Sequence, residues 1–135
     1  MGCDIHMHAE VKIAGKWHHY DRPRVQRDYA LFEKMAGVRG DVEDAIAAPR
    51  GIPADATEMT RFNCEHWGVD GHSHSWLNSQ EIFALRTWWD QQGREHFSDT
   101  WDRWLFGNRY SSFEEYPADR PAGVEDVRFI FWFDN

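Results

Sequence analysis

At 135 residues the chain is long enough for one domain with a real core and too short for two ordinary ones. Hydrophobic residues at 41% and aromatics at 16%, including eight tryptophans, exclude a disordered chain. The formal net charge of −8 excludes generic binding to nucleic acid or to an anionic membrane, because both depend on a net cationic footprint.

The first element is an alternating strand over residues 3–13. In extended backbone Asp4, His6, His8 and Glu10 project from one face, and Ile5, Met7, Ala9 and Val11 from the other. Ala14-Gly15-Lys16 reads as a turn and Trp17 to Tyr20 as the returning strand of a hairpin, which Asp21-Arg22-Pro23-Arg24 breaks. Asp28 is placed to cap a short helix from Tyr29 to Ala36, ended by Gly37, with Leu31, Phe32 and Met35 close together on its surface. Residues 39–59, with Gly40, Pro49, Gly51 and Pro53, read as mostly loop with one helical turn around residues 42–47. A second histidine motif, Asp70-Gly71-His72-Ser73-His74-Ser75-Trp76, reads as a central loop. Asn78 and Glu81 stand in capping-box spacing before a helix over residues 82–92. Phe97, Trp101, Trp104 and Leu105 predict a further helix, and a turn-rich stretch from Tyr110 to Gly123 follows it. Residues 127–133, Val-Arg-Phe-Ile-Phe-Trp-Phe, are apolar on both faces and predict a strand central to the sheet. The expected fold is a single α+β domain: a small antiparallel sheet, made of the N-terminal hairpin and the C-terminal strand, covered on one side by tryptophan-rich helices.

Cys3 and Cys64 are too few for a disulfide framework, no hydrophobic signal segment stands before the first polar residues, and no apolar stretch is long enough to span a bilayer. These observations predict a reducing, cytoplasmic location, with both cysteines as free thiols, structural core residues or metal ligands.

The histidine motifs carry the chemistry. Imidazole with carboxylate suits a divalent metal such as zinc or manganese. His6 and His8 can reach one ion from a shared strand face, with Asp4 or Glu10 as third ligand or as the group that orients an imidazole, and His72 and His74 complete the set if the central loop folds against that strand. The alternative places His6 and His8 on a solvent face and has His72 and His74 bond loop backbone. His18, His19, His66 and His96 are assigned to surface or core. Arg22, Arg24, Arg27, Arg39 and Arg50 lie among turn residues and near the first helix N-terminus; with an aromatic such as Trp76 they would clamp a phosphorylated ring compound. The alternative is salt bridging to the many carboxylates. A serine nucleophile at Ser73 or Ser75 is disfavoured, because adjacent residues on an extended chain point apart and no glycine elbow surrounds either serine.

Several blocks in order, Met1-Gly2-Cys3-Asp4-Ile5-His6, Arg27-Asp28-Tyr29-Ala30-Leu31-Phe32, Met35-Ala36-Gly37-Val38-Arg39-Gly40, Arg50-Gly51-Ile52-Pro53, His72-Ser73-His74-Ser75-Trp76-Leu77 and Phe131-Trp132-Phe133-Asp134-Asn135, resemble a family of small proteins encoded by tailed bacteriophages and prophages. The resemblance implies a phage origin and, by analogy, a role against host defence, and it leaves the chemistry open. Asp4-Ile5-His6-Met7-His8 is also similar to the first strand of metal-dependent barrel hydrolases. The chain is too short for a barrel of roughly 250 residues, so only the ligand logic carries over.

The functional expectation is a divalent-metal-dependent hydrolase of a small phosphorylated ligand or nucleotide, with Asp4 or Asp70 as proton acceptor. Alternatives are a binding protein that sequesters such a ligand unchanged, or a protein-binding inhibitor or virion accessory factor. For the last, the contact surface would be the second half, with seven basic and thirteen acidic residues from position 61 onward. A homo-oligomer joined through the tryptophan-rich helices is compatible with each.

Overall fold

A computed structural model describes residues 2–93 and 123–135. Strands β1 (Asp4–Ile13) and β2 (Lys16–Asp21) form the expected hairpin. Its turn places Ala14 at φ 49° and Gly15 at φ 75°, the doubly left-handed backbone whose twist matches the flanking strands. The C-terminal strand, called β4 here (Val124–Asp134), pairs antiparallel with β1 from Asp4↔Asp134 to Ile13↔Val124. Strand β3 (Gly71–Leu77) pairs antiparallel with the other edge of β4. The sheet order is β2-β1-β4-β3, so the C-terminal strand is central, as its two apolar faces require.

One sheet face is the core. Ile5, Met7, Ala9 and Val11 of β1 lie beside Val127, Phe129, Phe131 and Phe133 of β4. Helix α1 (Tyr29–Ala36) buries Leu31, Phe32, Met35 and Ala36 against them, and Phe32 meets Phe133 edge to face at 5.1 Å. Asp28 caps its start by accepting from Leu31 N, and Gly37 closes it at φ 75°. Helix α3 (Ser79–Gln91) starts in the predicted capping box, Asn78 with Glu81, and buries Ile82, Phe83, Leu85 and Trp89 on the same face. Each large apolar side chain withdrawn from water contributes about 1.5–3 kcal/mol, so this layer holds the fold.

Two elements differ from the sequence reading. The second histidine motif is the edge strand β3 rather than a loop. Residues Glu58–Trp67 form a helix, α2, where only loop was expected up to residue 59. It lies on the other face of the sheet, through Thr60, Asn63 and Trp67, so helices cover both faces rather than one. Its inward side is mostly polar and its apolar Met59 and Phe62 are exposed, so no hydrophobic period marks it. The helix expected around Phe97 to Leu105 and most of the turn-rich stretch lie outside the described residues. Among the described residues no helix is long and apolar enough to cross a membrane. Cys3 is buried in the core and Cys64 is half-buried, both as free thiols, and burial raises the pKa of each.

Candidate functional site

The face of the sheet opposite the core carries the histidines. Strand alternation brings Asp4, His6, His8 and Glu10 of β1 beside Arg128, Trp132 and Asp134 of β4, with His19 and Trp17 from β2, and α2 closes over part of the set.

At one end Asp4 and Asp134 stand directly opposite each other in the β1–β4 register. Like charges so placed repel, and each is met by its own partner. The Arg27 fork donates through Nε to Asp4 Oδ1 at 2.9 Å and through Nη2 to Oδ2 at 3.0 Å, which holds the Asp4 carboxyl below its usual pKa. Asp134 is bonded by His6 Nε2. The His6 ring lies under Trp67 with centroids 4.0 Å apart, and both His6 and Asp134 keep 19% of their side-chain surface exposed. Among the described residues Asp134 is the hydrogen-bond partner of His6, and the ring's Nδ1 makes no further bond.

His8 is fully buried one step along the strand. Its Nε2 lies 2.8 Å from Asn63 Oδ1 and its Nδ1 2.8 Å from His19 Nε2. The carbonyl oxygen of Asn63 can only accept, so His8 donates there through Nε2–H and accepts from His19 at Nδ1, the tautomer this network assigns. Burial pulls the His8 pKa down to about 4 against the opposing pull of Asn63, and burial also lowers His19.

Glu10 is buried and fully engaged. Oε1 accepts from Arg128, and Oε2 from Thr57 N at 3.0 Å, Thr57 Oγ1 at 2.6 Å and Thr60 Oγ1 at 2.7 Å. Burial raises its pKa, but these bonds outweigh it and leave the carboxyl below its usual value. This carboxylate therefore anchors α2 and does not serve as the ligand or orienting group the sequence allowed.

Trp132 is the floor of the face. Its ring lies near-parallel to three imidazoles, His8 at 5.4 Å, His74 at 5.9 Å and His6 at 6.3 Å. Its indole Nε1 is buried and, among the described residues, has no hydrogen-bond partner. A buried donor left unpaired costs about 1–3 kcal/mol. Gly71 packs beside it: a Cβ there would stand 3.2 Å from Trp132 Cδ1 and 3.3 Å from His74 Nε2. Burial lowers the pKa of His74, as does the nearby His72.

The structure thus brings His6, His8 and His74 around one indole and sends His72 elsewhere, to Asn135 and Ser73. Among the described residues no group of three or more histidine, cysteine, aspartate or glutamate side chains is arranged to hold a metal ion. Asp70 is exposed in the 3-10 turn Gly68–Asp70, and among the described residues its side chain makes no hydrogen bond or ion pair. The five arginines do not assemble into one clamp. Arg22 reaches Asn63 at 3.3 Å, Arg27 is taken by Asp4, and Arg39 lies over the Tyr29 ring at 5.1 Å. Arg50 stacks on Trp76 at 4.1 Å, bonds its carbonyl and pairs with Glu81, while Arg24 is exposed.

Sequence reasoning missed Asp134, His19, Asn63, Trp67 and Trp132. Asp134 and Trp132 share the face of Arg128 on the closing strand, a period-2 signal that the apolar run around them hides. No protein-family model matches the chain, and no solved structure matches it.

Proposed function

We propose that the histidine face is a small-ligand site at which the His6–Asp134 pair moves a proton, and that its ligand is a nucleotide or similar phosphorylated ring compound that is hydrolysed there. The observation that carries this reading is the His6–Asp134 contact on a half-open face beneath Trp67. With Nε2–H donated to the carboxylate, Nδ1 keeps its lone pair and can take a proton from water as the water oxygen bonds to phosphorus; the P–O bond to the leaving oxygen breaks, and the imidazolium returns that proton to the leaving group. Asp134 fixes the ring and stabilises the imidazolium that forms. Trp67, partly exposed above His6, supports an aromatic ligand. Asp4 is bound to Arg27 and takes no part in this step. Among the described residues the histidine and carboxylate side chains do not form a three-ligand metal set.

The second reading is sequestration without turnover, favoured because the arginines nearest the face, Arg22 and Arg27, already have protein partners and offer little new charge to a transition state. The phage resemblance supports a role for either activity in an infected bacterial cell, on a nucleotide signal of host defence. Incubating the protein with excess cyclic and linear nucleotides, then denaturing it and weighing the nucleotides, separates the two. Altered nucleotides at substoichiometric protein, with His6→Gln at least about 100-fold slower, support hydrolysis. Unaltered nucleotides retained at a fixed ratio support sequestration, and neither outcome removes the ligand class.

A further inference from the structure

His72 and Ser73 are neighbours in β3, and in a regular strand their side chains would leave on opposite faces. They meet because the strand is bulged. His72 is paired with Phe133 and Ser75 with Phe131, so one extra residue of β3 lies against β4, and Ser73 takes φ 55°. Left-handed backbone is strained at a residue with a Cβ, and such strain gathers where a side chain must be aimed. Here it aims the hydroxyl. Ser73 Oγ lies 3.0 Å from His72 Nδ1, and His72 Nε2 lies 3.0 Å from Asn135 Oδ1. The side-chain oxygen of Asn135 accepts, so Nε2 carries the proton and Nδ1 is free to receive the one from Ser73. The Pro49–Gly51 segment braces the bulge, with Gly51 N donating to His74 O at 2.8 Å. Both Ser73 and His72 remain partly exposed.

We propose that Ser73 is a nucleophile for carboxylic esters, with His72 as its general base and Asn135 as a positioning residue. This activity is separate from the proton transfer at His6, since among the described residues the side chains of Ser73, His72 and Asn135 make no hydrogen bond to those of His6 or Asp134. Ser73 Oγ bonds to the ester carbonyl carbon while its proton passes to His72 Nδ1. The tetrahedral adduct collapses by breaking the bond to the leaving alkoxide, which takes the proton from His72 and departs as alcohol. Water then attacks the acyl-serine with the same base, releasing carboxylic acid and restoring the hydroxyl. The net reaction is ester plus water to acid plus alcohol.

A fluorophosphonate probe tests the first half-step, because Oγ displaces fluoride and leaves a mass increment on one peptide. The intact protein is expected to gain one label on the peptide holding Ser73, and to hydrolyse p-nitrophenyl acetate. Ser73→Gly suits the left-handed backbone, keeps the fold and should lose the label, while Ser75→Ala should keep it, since Ser75 is buried. His72→Gln should slow labelling at least about tenfold. Asn135→Ala should shift the pH profile of labelling, with Asn135→Asp restoring the rate. An unlabelled wild-type protein, or a folded Ser73→Gly variant labelled as fast as wild type, overturns the proposal.

Discussion

Glu10 and Arg128 face each other across the β1–β4 pair as a buried ion pair, with Arg128 Nε and Nη2 donating to Glu10 Oε1 at 3.0 and 2.7 Å. Arg128 also holds Asp55 through Nη1 at 2.8 Å, and the Trp17 ring covers its guanidinium at 4.1 Å. Two desolvated charges contribute little net stability when every bond is made, but removing one strands the other. Arg128→Met is therefore expected to cost about 3–5 kcal/mol in urea unfolding. Glu10→Gln also strands a charge, and the double variant should cost clearly less than the sum of the singles. Additive losses would show that the two residues act independently.

Acid should weaken the fold through His8. Its folded pKa, about 4, lies below the ordinary 6.5, so the neutral ring is the form the fold stabilises. That contribution is fully present above pH 6.5 and is lost as pH falls from there towards about 4. It amounts to about 3 kcal/mol, and His19 and His74, lowered in the same direction, add to it. Urea unfolding across this window should show stability falling with pH, and His8→Gln should remove about one proton of the uptake. An unchanged slope in that variant would assign the acid response to other groups.

How much of this was legible in the sequence follows from where apolar residues mark a face. The β1 alternation, the Asp28 and Asn78 caps and the apolar closing strand each announce themselves, because burial and capping use a narrow set of residue types. Helix α2 does not, since Thr60, Asn63 and Trp67 dock it on a polar face and leave Phe62 outside. Strand β3 was hidden by Gly71, Ser73 and Ser75, residues of low strand preference; the strand pairs because β4 offers an open edge. Within the site, His6 and His8 were readable as a shared face. Their partners were not, because Asp134 and Asn63 lie 128 and 55 residues away and only the fold brings them close.

Two glycines with the same backbone angle should respond differently to alanine. Gly15 and Gly37 both sit at φ 75°. A Cβ on Gly15 meets nothing within 4 Å, whereas one on Gly37 would stand 2.5 Å from Val42 Cα, backbone that cannot swing away. Gly15→Ala should cost only the left-handed strain, about 1 kcal/mol, and Gly37→Ala about 2 kcal/mol or more. Equal melting temperatures for the two variants would contradict the close packing of the α1 end against the 3-10 turn at Val42–Asp44.

Metal addition tests whether the histidine face is rigid. His6 is held by Asp134, and His8 by Asn63 and His19, so ligation at either ring must first break contacts that the fold already makes. A ligand present at 100 times its Kd stabilises by about 2.7 kcal/mol, which in a domain of this size raises the melting temperature by several degrees. Zinc or manganese is therefore expected to shift it by less than about 1 °C in protein purified without a histidine tag. A rise of several degrees, abolished by His6→Gln and by His74→Gln, would show that the three imidazoles around Trp132 can rotate into a shared ligand set, and it would restore the metal-dependent mechanism in place of the His6–Asp134 one.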